Sequence, residues 1–343
     1  MKKSESVTLK DIAERAGVSM MAVSMALRGR PGVSDETREK IKALAVEMGY
    51  RKDPLLSSLS ARRKGGARHF NRLAYVGAWE TDDFMGIGYN RQFFRGATEA
   101  GKELGYDLEP YWLNPELSLE RHSTILHNRG FDGLLIAPVD DEMKKLNLDW
   151  KRFSAVALGR SLESPALHFA SANHFGGMIR VCRELYELGY RRIGLAMRES
   201  TSVRTQGRWS GAMLEFNRSI PVELQLTPLI ADPLSQEAFG TWVQREKPDV
   251  VLSLGDRPIQ WLSEIGFRIP EDMGYVMLER MEDVPGQPKF SALDQNLPEV
   301  GRAALKLLHA DIAAGNRGVP AIRSSLLIDG SWVRGERVRA SVK

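Results

Sequence analysis

Residues 19–28 read SMMAVSMALR, and no other stretch of the sequence has side-chain types so clearly suited to one chemistry. They follow Gly17 and Val18 and open on a serine, which reads as a short capped helix. At about 100° per residue, Val23, Ala26 and Leu27 fall on one side. Met21, Ser24, Met25 and Arg28 fall on the other, with Met20 at the margin in the first turn. A methionine stripe more often packs a core. Here smaller residues already fill the inward side, so Met21 and Met25 are expected to face out. Thioethers offer apolar contact and donate no hydrogen bond. In a DNA major groove that chemistry touches thymine methyl groups, whereas an outward arginine such as Arg28 donates to base edges.

Residues suited to covalent chemistry are sparse. The single cysteine, Cys182 in IRVCRELYELG, is expected to fill a helix. The sequence holds no phosphate-binding loop, no GxGxxG and no GxSxG elbow. His122 and His127 are five apart, on different faces of a helix. His168 and His174 bracket the strand-to-helix junction HFASANHFG. Asp82–Asp83 and Asp140–Asp141 read as solvated loops. No cofactor and no metal site is expected, and no catalytic constellation is visible.

The elements that position the methionines are legible. Thr8 followed by Asp11 resembles a capping box, with Ile12, Ala13 and Ala16 on one face and Gly17 as the stop. Ser19 caps the second helix. Ser34 caps a third, with Ile41, Leu44, Ala45 and Met48 at helical spacing and Gly49 as its stop. Two short helices across a glycine turn, plus a third, describe a helix-turn-helix headpiece over 1–52. Residues 1–70 carry 15 Lys+Arg against 8 Asp+Glu, a net of +7, while the remaining 273 residues carry −3. A basic head on a mildly acidic body suits a polyanionic partner.

Residues 53–71 read as a hinge and linker. Asp53 caps, Pro54 takes the first helical position, and Leu55, Leu56 and Leu59 give one apolar side ahead of Arg62, Arg63 and Lys64. So short a helix is expected to form only when paired and bound. From 72 to 343, apolar runs alternate with amphipathic helices: LAYVGAW, YDLEPYWL, GLLIAP, AVALG, RIGLAM, VVLSLG and GYVMLE. That order predicts doubly wound parallel sheets with right-handed crossovers. ELGY recurs at 103–106 and 187–190, a weak echo that fits two lobes of similar build. One cysteine, no secretory leader and no long apolar run point to a soluble protein of the reducing cytoplasm.

The gapless stretch VTLKDIAERAGVSMMAVSMALRGRPGVSDETREKIKALAVEMGY resembles the headpiece of the lactose-repressor (LacI-type) family of bacterial transcription regulators. The resemblance implies a recognition helix at 19–27, with Met20, Met21, Ser24, Met25 and Arg28 facing bases. Leu9, Ser19, Ser34 and Thr37 would approach phosphates or sugars, and Tyr50 of the closing GY joins the DNA-binding set. It also implies paired hinge helices in the minor groove, with Leu59 as the wedging leucine. Many members carry arginine where this chain has Met25. The hinge departs as well, with KDP and Ser57.

The body resembles the periplasmic sugar-binding-protein fold of the same family, through RGFDGLLIAP, ELGYRRIGLAM, GRWSGAMLEF and PDVVLSLGD. Lobe one is expected over 72–168 plus 297–321, and lobe two over 169–294 plus the end. A ligand would sit between them at the carboxyl ends of the strands. The resemblance places an effector-binding arginine at Arg208, and an acid at Asp256 after Gly255 where the family usually has asparagine. Glu279 falls where it usually has aspartate. Trp79 and Asp82 follow the first strand, and Asp294 and Gln295 follow FSAL. Carboxylates and an arginine suit hydroxyls, and an aromatic face suits a sugar ring, so a carbohydrate or nucleoside effector is expected. The overall expectation is a dimeric, ligand-responsive regulator, most simply a repressor, on a palindromic operator. GSWVRGERVRASVK holds no heptad leucines that would build a tetramer. A solute-binding module without DNA reading and an α/β enzyme are the alternatives.

Overall fold

The computed structural model describes residues 7–27, 32–48, 71–140, 143–280 and 289–339. The chain forms two compact units, 1–69 and 70–343.

In the first unit, α1 (Leu9–Ala16), α2 (Met20–Leu27) and α3 (Asp35–Glu47) pack around Ile12, Val23, Ala26, Ile41 and Ala45. Each helix starts where its sequence signal lies. The Thr8 N–H and hydroxyl both donate to the Asp11 carboxylate at 2.7 Å, and the Asp11 N–H donates back to Thr8 Oγ1. Ala22 N–H donates to Ser19 Oγ, and Thr37 N–H to Ser34 Oγ. Gly17 turns the chain at φ 67°, a left-handed conformation that costs glycine little. The expected hinge helix at 53–71 lies outside the described residues, apart from Asn71, which opens the body.

The second unit holds two six-stranded sheets. Strands β1 (Asn71–Gly77), β2 (Tyr106–Trp112), β3 (Phe131–Ile136), β4 (Ser154–Leu158), β5 (His168–Ala172) and β11 (Ser325–Ile328) form sheet one, ordered 11-5-4-3-1-2 and parallel throughout. Strands β6 (Ile193–Arg198), β7 (Leu229–Ala231), β8 (Val250–Ser253), β9 (Gly274–Met277), β10 (Ser291–Asp294) and β12 (Ser331–Val333) form sheet two, ordered 12-10-9-8-6-7. Only β12 runs antiparallel. Helices cover both faces, so alternate residues of one strand enter different cores. In β1, Leu73 and Tyr75 pack on one side and Ala74 and Val76 on the other. Sheet one is flanked by α4 (Gly88–Leu104), α5 (Leu119–Asn128) and α11 (Leu297–Ala314). Sheet two is flanked by α6 (His174–Glu187), α7 (Glu199–Arg204), α8 (Arg208–Asn217), α9 (Gln236–Glu246) and α10 (Arg257–Glu264).

The lobe boundaries differ from expectation. β5 pairs with β4 and β11, so lobe one runs to Ala172 and regains residues 325–328. The chain therefore crosses between lobes three times, and the crossings bond to one another. Asn173 N–H donates to Ile328 O at 2.7 Å, Asn173 Nδ2 to Asp329 Oδ1, and Asn296 Nδ2 to Asp329 O. The ELGY echo marks a shared device: Gly105 and Gly189, at φ 83° and 95°, end α4 and α6 before a strand.

Candidate functional site

The headpiece presents α2 with two bare thioethers. Met20 and Met21 are 55% and 67% exposed, while Val23 and Ala26 are buried and Leu27 packs at the edge of the core. Met25 departs from expectation and is half-buried. Its sulfur lies 3.4 Å from where a Cβ on Gly32 would stand, so Gly32 lies against it. The outward pair is thus Met20 and Met21, with Ser24 half-buried beside them. Ser19 and Ser34 are exposed, but their hydroxyls already accept from their own helix starts, and Ser34 Oγ also meets Thr37 Oγ1 at 2.8 Å. Leu9 packs at the edge of the head core. Arg28, Tyr50 and Leu59 lie outside the described residues.

In the body, a cavity of about 80 Å³ lies between the lobes at the carboxyl ends of the strands. Tyr89, Phe93, Trp209 and Leu297 give it apolar walls. Arg160 follows β4, Arg204 ends α7, His174 opens α6, and Glu279 and Gln295 follow β9 and β10. Of the seven residues expected in the cleft, Glu279 and Gln295 line this cavity. Arg208 stands behind it as the first residue of α8, close enough to act electrostatically on Arg160 and His174.

The other four do not line the cavity. Trp79 donates from its indole to Pro138 O at 2.8 Å and packs on the core of lobe one. Asp82 is exposed ahead of a 3-10 turn. Asp256 lines an adjoining groove with Arg198, Arg257 and Trp261, which meets the cavity at Thr201 and Leu254. Asp294 pairs with Arg280 at 3.1 Å and accepts from Asn296 N–H.

Burial governs the charges here. Burial pushes Arg160 down to about 10, with Arg208 and Arg323 adding repulsion. His174 is lowered to about 4, again by burial first and by Arg160 next. Glu279 is raised by burial, against the pull of Arg204. Arg160 Nε, Arg208 Nε and His174 Nδ1 are buried without a hydrogen-bond partner. Such atoms cost on the order of 1–3 kcal/mol each unless something fills them.

Residues 8–53 match the model of bacterial regulatory proteins of the lacI family, and residues 182–336 match a periplasmic binding protein-like domain. The chain belongs to the LacI family. The HTH-type transcriptional repressor PurR of Mannheimia succiniciproducens is 23% identical over 89% of this chain and 92% of its own length. A lac repressor dimer bound to operator and the anti-inducer ONPF shares the fold, with a TM-score of 0.57 and 20% identity over 98% of this chain and 100% of that one. A complex of the transcriptional regulator CelR with cellobiose gives a TM-score of 0.57 at 21% identity, over 96% and 99%. This LacI-family chain is accordingly a transcriptional regulator with a helix-turn-helix head and a two-lobed sensor body.

Sequence reading of this LacI-family chain missed Arg160, Arg204 and His174. HFASANHFG was the one available signal, because a histidine opening a helix straight after a strand end sits at the mouth of a parallel sheet.

Proposed function

We propose that two copies of this chain bind a palindromic operator in the cytoplasm, and that a small molecule in the interlobe cleft changes their affinity for it. The observation that carries the DNA half is the recognition helix, whose small inward residues complete the core and leave Met20 and Met21 to a partner. The cleft supports the second half, because its buried polar atoms lack partners that a ligand would supply. Both Lac repressor and CelR, relatives of the same fold, are described with small molecules bound. Coupling between cleft and operator is expected at about 1–3 kcal/mol. The effector is bound and released without turnover, so it should be recovered chemically unchanged after incubation.

The test is sequencing of genomic fragments captured by the purified chain after a salt wash that strips non-specific contacts. A recovered palindrome supports the reading. No enriched motif, with or without added cell metabolites, would remove it.

Replacing both Met20 and Met21 by alanine is expected to weaken binding to the recovered operator by about tenfold to a hundredfold. Each buried CH2 contributes about 0.8 kcal/mol. Affinity for random DNA should hold, since it rests on phosphate contacts. Equal losses on both DNAs would show that the methionines support the fold and do not read sequence.

A further inference from the structure

We infer that the cleft is built for an anion, a small molecule carrying a carboxylate or phosphate, held by Arg160, Arg204 and His174, with Arg208 adding positive charge from behind them. This rests on the reading of the cleft as the effector site.

Three of the hydroxyls around the cavity are already engaged by the protein. Ser161 Oγ accepts from Val139 N–H at 2.8 Å, Ser171 Oγ donates to Ala172 O, and Thr205 Oγ1 donates to Thr201 O at 2.9 Å. The Gln295 amide donates to Leu278 O at 2.7 Å. Of the residues lining the cavity, Arg160 Nε and His174 Nδ1 are buried without partners, and a guanidinium nitrogen can only donate. A ligand that completes the site must therefore bring acceptors.

Charge points the same way. Among the described residues, none of Arg160, Arg204, Arg208 or Arg323 has a carboxylate within ion-pair distance, although the protein pairs many of its other arginines. Arg160 and Arg323 both stand over the Phe169 ring, at 4.6 and 4.3 Å from its centroid, and Arg204 stands 5.6 Å from that of Tyr89. Aromatic faces hold these guanidinium groups without neutralising them. Glu279 is the one acid lining the cavity, and burial favours its neutral form. A half-buried arginine repelled by others, as Arg160 is by Arg208 and Arg323, is costly without a counter-charge, and an anion supplies one. Planar guanidinium forks suit carboxylate and phosphate oxygens. The outer cleft continues the pattern with Arg91 and Arg95 on α4. A neutral sugar would leave the arginines unneutralised.

The experiment uses the full chain at fixed ionic strength and follows thermal melting and tryptophan fluorescence, Trp209 being a wall of the cavity. The probes are D-glucose, D-glucuronate, D-glucose 6-phosphate, acetate and inorganic phosphate, each against chloride. A saturable rise in Tm of several degrees with at least one anion, absent with glucose, is expected. Preference for glucuronate and acetate would assign the carboxylate form, and preference for the two phosphates the phosphate form. Arg160→Gln should raise that Kd at least tenfold. Arg204→Gln, at the other arginine lining the cavity, should do so independently, which guards against a folding defect in either variant. Anion binding to the basic head would survive both substitutions.

Anions that act no differently from chloride, or whose effect survives both variants, would overturn the inference. If glucose binds and changes the tryptophan signal while no anion does, the effector-site reading stands and the anionic assignment falls. If no probe of either kind changes that signal, the anionic assignment falls together with the support for an effector in this cavity.

Discussion

Gly301→Val is expected to give a chain whose sensor body does not fold, while Gly211→Ala gives a protein slightly more stable than the parent. A Cβ on Gly301 would stand 2.0 Å from Phe93 O, and one on Gly96 would stand 1.8 Å from Pro298 O. Both clashes are with main chain, which has no rotamer by which to move aside. The two glycines are therefore what lets α4 and α11 touch backbone to backbone. Along that contact Phe93, Ala97, Ala100, Val300, Ala304 and Leu305 are buried in the core of lobe one. Overpacking against side chains costs about 1–3 kcal/mol. Separating two helices along a buried seam exceeds that, against a total stability of about 5–15 kcal/mol. The cleft suffers with the core, since Phe93 and Leu297 line the cavity from these same two helices. Gly211 and Gly240 are the controls, because a Cβ at either meets nothing within 4 Å. Alanine in those helix interiors should gain about 0.5–1 kcal/mol. Thermal and urea melts read both effects. A Gly301→Val protein melting with the parent would show that the helices have room to separate.

The parts of this molecule legible in its sequence are those set by local pattern. Thr8 with Asp11, Ser19 and Ser34 announce three helix starts through side chains that satisfy backbone donors a few residues away. The strands LAYVG, GLLI and VVLS are legible because burial on both faces makes them continuously apolar. What was not legible depends on partners distant in sequence. Chain order puts most of β5 with lobe two, whereas its pairing with β4 and with Ser325–Ile328, far along the chain, holds it in lobe one. A wheel of α2 alone turns Met25 away from the core, where it does stay, but cannot show that Gly32 lies against it and leaves it half-buried.

The cleft shows the same divide. Glu279, Gln295, Asp256 and Asp294 all follow strand ends, and that position fixes which edge of the sheet they occupy. It does not fix where each side chain turns, and Asp294 is claimed by Arg280. Arg160, Arg204 and His174 gain their meaning only from one another, across a strand end and two helices that no local pattern brings together.

Acidification from pH 6.5 to 4 is expected to destabilise the body through His174. In the unfolded chain its imidazole takes a proton near 6.5, and in the folded chain only near 4. Burial is the first cause and Arg160 the second; Arg208 and Arg204 add to the effect, while the Gln295 amide works against it. Between those two values the unfolded chain binds more protons than the folded one, so stability rises with pH across the window. It is fully present above 6.5 and lost by about 4. Each pH unit is about 1.36 kcal/mol, so the whole window is on the order of 3 kcal/mol. Glu279 contributes with the opposite sign, because a raised carboxyl favours the folded state as pH falls. Carboxylates held low by arginine, such as Asp272 by Arg268 and Glu109 by Arg72, lose their contribution at lower pH. Subtracting the profile of His174→Gln from that of the parent isolates the histidine. That difference should slope between pH 4 and 6.5 and lie flat above it; a flat difference throughout would show that His174 titrates normally. A bound anion would neutralise the arginines facing the imidazole and return its proton affinity toward the ordinary value. Saturating the cleft should therefore shrink the slope, and the anion should bind more tightly as pH falls through the same window.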